Sequence, residues 1–157
     1  AMSLGSADYR EGALARIEDA RRLRDQGRWV GAIYLAGRAV ESFLRSLLWL
    51  NGRQQEVGHN LRDLLTKARS LGLVSAQDDD LKAEINEVAS LWKNNLRFIG
   101  DLRFQRDLRD IGRAQRVNNR PVKGDPIKAN ALVILESCER IISRGEVLWS
   151  KQQSKKK

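Results

Sequence analysis

One cysteine, one histidine, one methionine and two prolines in 157 residues leave few of the side chains that build the common kinds of site. The lone Cys138 cannot close an internal disulfide, and a single histidine gives no Cys/His set for zinc, so a reducing, cytoplasmic setting without a bound metal is expected. No uninterrupted apolar run is long enough to cross a bilayer, which excludes a membrane span. Also missing are a Gly-rich phosphate loop of the Walker or Rossmann kind, a nucleophile elbow, and paired carboxylates on a helix facing a histidine. No cofactor is expected. Period-two alternation is nowhere sustained, so nothing argues for a sheet.

Positive charge is present in excess. Lys and Arg number 29 against 20 Asp and Glu, a net charge of +9, which suits a polyanionic partner. The length fits one domain with a real hydrophobic core. The expected division is a cloning remnant and disordered start over 1–7, a single helical domain over 8–150, and a disordered basic tail over 151–157.

Helical periodicity runs through the domain. Tyr9, Ala13, Ile17, Ala20 and Leu23 mark a first amphipathic helix that Gly27 ends. A second, over 28–52, is so widely apolar that only Arg38, Ser42 and Arg45 leave a polar stripe, so it should be central. Its small residues, among them Gly31 and Gly37, let neighbours approach, although each glycine costs about 1 kcal/mol against alanine. "NLRDLLTKARSLG" gives a short third helix capped by Asn60 and stopped by Gly72. A fourth runs from the "DDD" of 78–80, whose charge the helix dipole explains without a metal, through Trp92 to Ile99. The last begins at Asp125 and Pro126, follows Ile127, Ala131, Ile134, Cys138, Ile141 and Leu148, and ends near Trp149. Cys138 lies on its apolar seam, as a buried small hydrophobe would. Trp29 and Trp92 fit core registers; Trp49 and Trp149 fall off them and are candidates for a partner surface. The fold class is an all-α bundle of four to five helices.

Between Gly100 and Gly124 the arginines concentrate. Arg103, Arg106, Arg109, Arg113, Arg116 and Arg120 recur every three or four residues, one guanidinium stripe if the segment is helical. Phe104, Leu108 and Ile111 form a smaller apolar face, which predicts a helical extension to about Gln115, followed by loop through "VNNRPVKGD". Guanidinium groups bind phosphate oxygens bidentately, and Phe104 could offer a stacking surface. The bland alternative is a solvated face with intrahelical ion pairs.

The segments "AIYLAGRAVESFLRSLL", "GHNLRDLLTKARSLGL" and "LWKNNLRF", taken in order, resemble the HEPN domain, the higher eukaryotes and prokaryotes nucleotide-binding family, over roughly residues 10–100. The resemblance implies a HEPN-like helical bundle, frequent dimers, and a membership divided between ribonucleases of toxin, antiphage or CRISPR systems and non-cleaving binders of nucleotides or proteins. In its nucleases an arginine is followed by a histidine with four to six residues between them. Arg97 matches that arginine, but Leu102, Arg103 and Phe104 stand where the histidine belongs, so nuclease activity is not carried over and no catalytic residue is named. His59 sits in the "GHNL" piece just before Asn60, a motif at the start of a helix, and a structural role for both is expected.

Together these readings predict a non-catalytic module for nucleic acid, RNA favoured, or for a nucleotide, acting as a homodimer in a toxin-antitoxin, defence or regulatory system. Its phosphate-binding residues would be Arg97, Arg103, Arg106, Arg109, Arg113, Arg116 and Arg120. A second reading is a protein-interaction subunit, for example the partner of a nucleotidyltransferase. A third is a ribonuclease with an unorthodox site of Arg97 and Arg103 assisted by Asp101 or Asn94.

Overall fold

The computed structural model describes residues 3–51 and 57–155. Residues 1–2 of the expected cloning remnant, Gly52 at the end of the second segment and residues 156–157 of the tail lie outside them. The described elements are α1 (Ser6–Asp25), α2 (Trp29–Leu48), a 3-10 turn at Trp49–Asn51, α3 (Leu61–Ser70), α4 (Asp79–Leu91), a 3-10 turn at Asn94–Phe98, α5 (Asp101–Asp110), β1 (Arg116–Val117), β2 (Arg120–Pro121) and α6 (Pro126–Ser154). The fold is an all-α bundle. α2 is its axis, packed against α1, α3, α6 and the Asn94–Phe98 turn, because its apolar residues leave so little of its surface for water. Ala32, Ile33, Ala36, Ala39, Val40 and Phe43 of α2 are at most 1% exposed.

The ends of the helices follow local chemistry. Asn60 accepts from the backbone N–H of Arg62 and Asp63, and Asp125 accepts from Ile127 N ahead of Pro126. Asp78 caps α4 by accepting from Leu81 N, and its other oxygen receives Arg144 Nε at 2.9 Å. Gly27 and Gly72, at φ +71° and +72°, turn the chain out of α1 and α3. Inter-helix pairs then absorb many arginines. Arg10 grips Glu146 of α6 with two bonds, Arg21 and Arg24 share Glu139, and Arg140 pairs with Glu84 of α4.

Four expectations need correction. α4 ends at Leu91 rather than Ile99: Trp92 is extended (φ −83°, ψ 130°) and buried, with Nε1 donating to the Tyr34 carbonyl at 3.0 Å. Gly37 leaves the space that the indole fills, so tertiary packing there overrides helical periodicity. The extension after Gly100 is helical only to Asp110, since Gly112 at φ +75° ends it. The expected loop contains a two-residue antiparallel ribbon, Val117 opposite Arg120, closed by Asn118 and Asn119 at φ 51° and 61°; asparagine tolerates this left-handed region, and two such residues are what a primed hairpin turn requires. α6 does not stop at Trp149 but continues to Ser154, passing Gly145, where a Cβ would come within 2.7 Å of the Phe43 ring.

Trp49 and Trp149 are also not the open partner surface their registers suggested. Trp49 stacks at a tilt on Tyr9, 5.1 Å between ring centroids, while Trp149 donates to Ser6 Oγ and lies under the Arg10 guanidinium. Both are half-buried because α1 crosses their side of the bundle. Among the described residues, no helix is long and apolar enough to cross a membrane.

Candidate nucleic-acid interface

α5 lies on α6 through Phe104 and Leu108, 1% and 0% exposed. At 100° per residue the opposite side carries Leu102, Arg106 and Arg109 nearly in line, with Arg103 on the flank. All three arginines are exposed. Arg103 Nε donates to Asp107 at 2.9 Å, a hydrogen bond that holds its guanidinium above the ordinary value. Among the described residues, Arg106 and Arg109 have no carboxylate within ion-pair distance.

The single stripe of six does not form, because the helix ends after Arg109. Arg113 turns inward instead: its guanidinium bonds Glu87, Ser90 and Asn130 Oδ1, while Asn130 Nδ2 returns a bond to the Arg113 carbonyl. It ties α4 to α6. Arg116 and Arg120 are exposed on the ribbon, Arg116 donating to the Asn119 carbonyl at 2.8 Å. Arg97 is exposed on the Asn94–Phe98 turn, with its guanidinium 4.6 Å from the centroid of the Phe98 ring. Five arginines, at 97, 106, 109, 116 and 120, thus stay clear of carboxylates among the described residues.

Phe104, the aromatic expected to stack on bases, is core. The exposed aromatic is Phe98, 77% open to solvent, followed four residues later, across the extended Ile99 and Gly100, by Leu102 at 84%. Helical spacing continued through 99 would also set Phe98 off the seam of Leu81, Ile85, Val88 and Trp92, so this much was available in the sequence.

His59 makes a different contact from the one its position suggests. Asn60 alone caps α3, and the His59 ring, 52% exposed, bonds through Nδ1 to Glu41 Oε1 at 2.9 Å. Glu41 is 4% exposed, and its carboxylate also receives Arg38 Nη1 and Arg45 Nε. Arg45 Nη2 reaches the Val57 and Gly58 carbonyls, which fastens the approach to α3 onto α2. Arg38 Nη1 extends to Asn94 Oδ1 at 3.4 Å. Periodicity gives no reason to single out Glu41. The available signal is that it is the one acid in α2, set three residues after Arg38 and four before Arg45.

A family model described as HEPN domain matches residues 6–147, which takes in α1 through most of α6. No curated protein and no solved structure gives a significant match.

Proposed function

The chain belongs to the HEPN domain family, and from that premise we propose that it is a non-catalytic nucleic-acid-binding module whose phosphate contacts come from Arg97, Arg103, Arg106, Arg109, Arg116 and Arg120. The observation that carries this reading is the uncompensated guanidinium set of Arg97, Arg106, Arg109, Arg116 and Arg120, in a molecule most of whose other described arginines are ion-paired within or between helices. Desolvated carboxylate pairs fix geometry, whereas exposed unpaired guanidinium groups are available to phosphate. Arg113 serves the scaffold. Phe98 beside Arg97 adds a face on which an unpaired base can stack, which favours single strands, RNA among them. The reading includes a cytoplasmic homodimer in a toxin-antitoxin, defence or regulatory system.

The test is fluorescence anisotropy with labelled single-stranded RNA over a salt series, with cleavage read on the same samples. Each phosphate neutralised adds about 0.7 to the slope of log affinity against log salt, so Arg106→Gln with Arg109→Gln should lower the slope by about 1.4. Arg22→Gln, on exposed α1 surface, should leave it unchanged. Absence of binding at low salt refutes the proposal and favours a protein partner for the basic surface. Cleavage abolished by Arg97→Ala would instead establish a nuclease.

A further inference from the structure

Beside the His59 ring, away from the outward face of α5, a hollow of about 320 Å³ opens between the start of α3 and the segment after α4. Its size falls at the lower end of small-molecule sites, roughly 300–1,000 Å³. Leu61, Ala89 and Trp92 line it as apolar surface, and the polar groups are His59, Arg62, Lys93 and Asn94, with Asn60 occupied in capping α3. No carboxylate lines it. Among the described residues neither Arg62 nor Lys93 is ion-paired, and Arg62 bonds only the neutral Asn86 amide, through Nε at 3.0 Å.

The two neutral groups at its edge are each fixed from behind. A carboxylate only accepts, so Glu41 requires the hydrogen of His59 to sit on Nδ1, which leaves Nε2 unengaged among the described residues. A guanidinium only donates, so Arg38 must meet the amide oxygen of Asn94, which leaves both Nδ2 hydrogens for another acceptor. Glu41 and Arg38 are themselves joined. One ion pair, its Glu41 end buried and its Arg38 end half-buried, therefore sets the tautomer of the histidine and the orientation of the asparagine at the rim of a cationic, carboxylate-free hollow. A scaffold needing only a clamp between α2 and α3 already has it in Arg45, whose bonds to Val57 and Gly58 do not involve the hollow.

We infer that this hollow is a binding site for a phosphate group, held by Lys93 and Arg62 as cations and by the Asn94 amide as an oriented donor, with His59 Nε2 donating when protonated. Glu41 and Arg38 are its positioning residues. The phosphate can belong to a nucleic-acid strand or to a small phosphomonoester; the chemistry recognised is the same. The site is separate from the α5 arginines, and its test does not depend on them.

Because the chain has one histidine, the imidazole resonances report this hollow without overlap. At fixed pH and ionic strength, inorganic phosphate titrated into the protein is expected to move the His59 ring signals along a saturating curve, and chloride should not. Lys93→Gln with Arg62→Gln should weaken that binding by about tenfold or more, the scale of losing charge-assisted hydrogen bonds. Asn94→Asp gives Arg38 a carboxylate partner, which favours folding, yet places a negative charge at the rim, and should abolish the response. A 5′-hydroxyl oligonucleotide that moves the same signals identifies a strand phosphodiester as the ligand, whereas response only to a 5′-phosphorylated oligonucleotide or to inorganic phosphate identifies a monoester; each supports the site. No saturable movement with any of the three, or movement undiminished in both variants, overturns it, whatever happens to binding at α5.

Discussion

Replacing Gly37 by alanine should destabilise the bundle although alanine is the better helix former. The propensity term favours the change by about 1 kcal/mol. Against it, a Cβ at Gly37 would overlap the Trp92 indole at Cδ1, Cγ and Nε1, and that ring is 4% exposed with its N–H bonded to the Tyr34 carbonyl. Displacing a packed side chain typically costs 1–3 kcal/mol, and losing the bond leaves buried polar groups unmatched for about 1–3 kcal/mol more. The expected net loss is about 3 kcal/mol, or roughly 6–12 °C in Tm for a domain of this size. Gly31→Ala on the same helix is the control. Its Cβ would meet only Leu23 Cδ1, at 3.3 Å, the end of a flexible side chain, so the propensity gain should survive. Urea and thermal unfolding of the two variants measure the contrast, and a Gly37→Ala protein as stable as Gly31→Ala would refute the packing argument. Trp92 also lines the hollow beside His59, so the same substitution should disturb the His59 resonances from a distance.

Glu41→Ala strands Arg45, whose side chain is 12% exposed, and should cost about 3–5 kcal/mol in urea unfolding, the scale of a buried pair broken on one side. Arg113→Ala removes the bonds to Glu87 and Asn130, and should cost about 2 kcal/mol while leaving the salt slope of RNA binding unchanged, since Arg113 is half-buried in the scaffold. Burial of Cys138 pushes its thiol far above the ordinary value of 9.0. The folded state then keeps the proton that the unfolded state releases, so this group's contribution is intact below pH 9 and is lost above it by about 1.4 kcal/mol per pH unit. The pH dependence of stability for Cys138→Ala, compared with the unchanged chain, should be shallower by that slope above pH 9, and parallel curves would contradict it.

Much of the fold is carried by the sequence alone, because helix formation depends on residues three and four positions apart and on the chemistry of single caps. The apolar breadth of α2, the Asn60 and Asp125 caps and the stops at Gly27 and Gly72 are local quantities, and the structure bears each of them out. The same local pattern also marks Cys138 and Trp92 as core.

What only the tertiary structure decided is where those local patterns yield. Trp92 leaves the helical path and fills the space that a distant residue, Gly37, leaves by having no side chain there. Arg113 is an arginine like its neighbours in spacing, but Glu87 and Asn130 arrive from α4 and α6 to engage it. Glu41 and His59, 18 residues apart, meet because Arg45 draws the Val57–Gly58 backbone onto α2. Spacing along one chain fixes which side chains share a helix face; which charges are neutralised, and which are left for a ligand, depends on contacts between elements that no periodicity records.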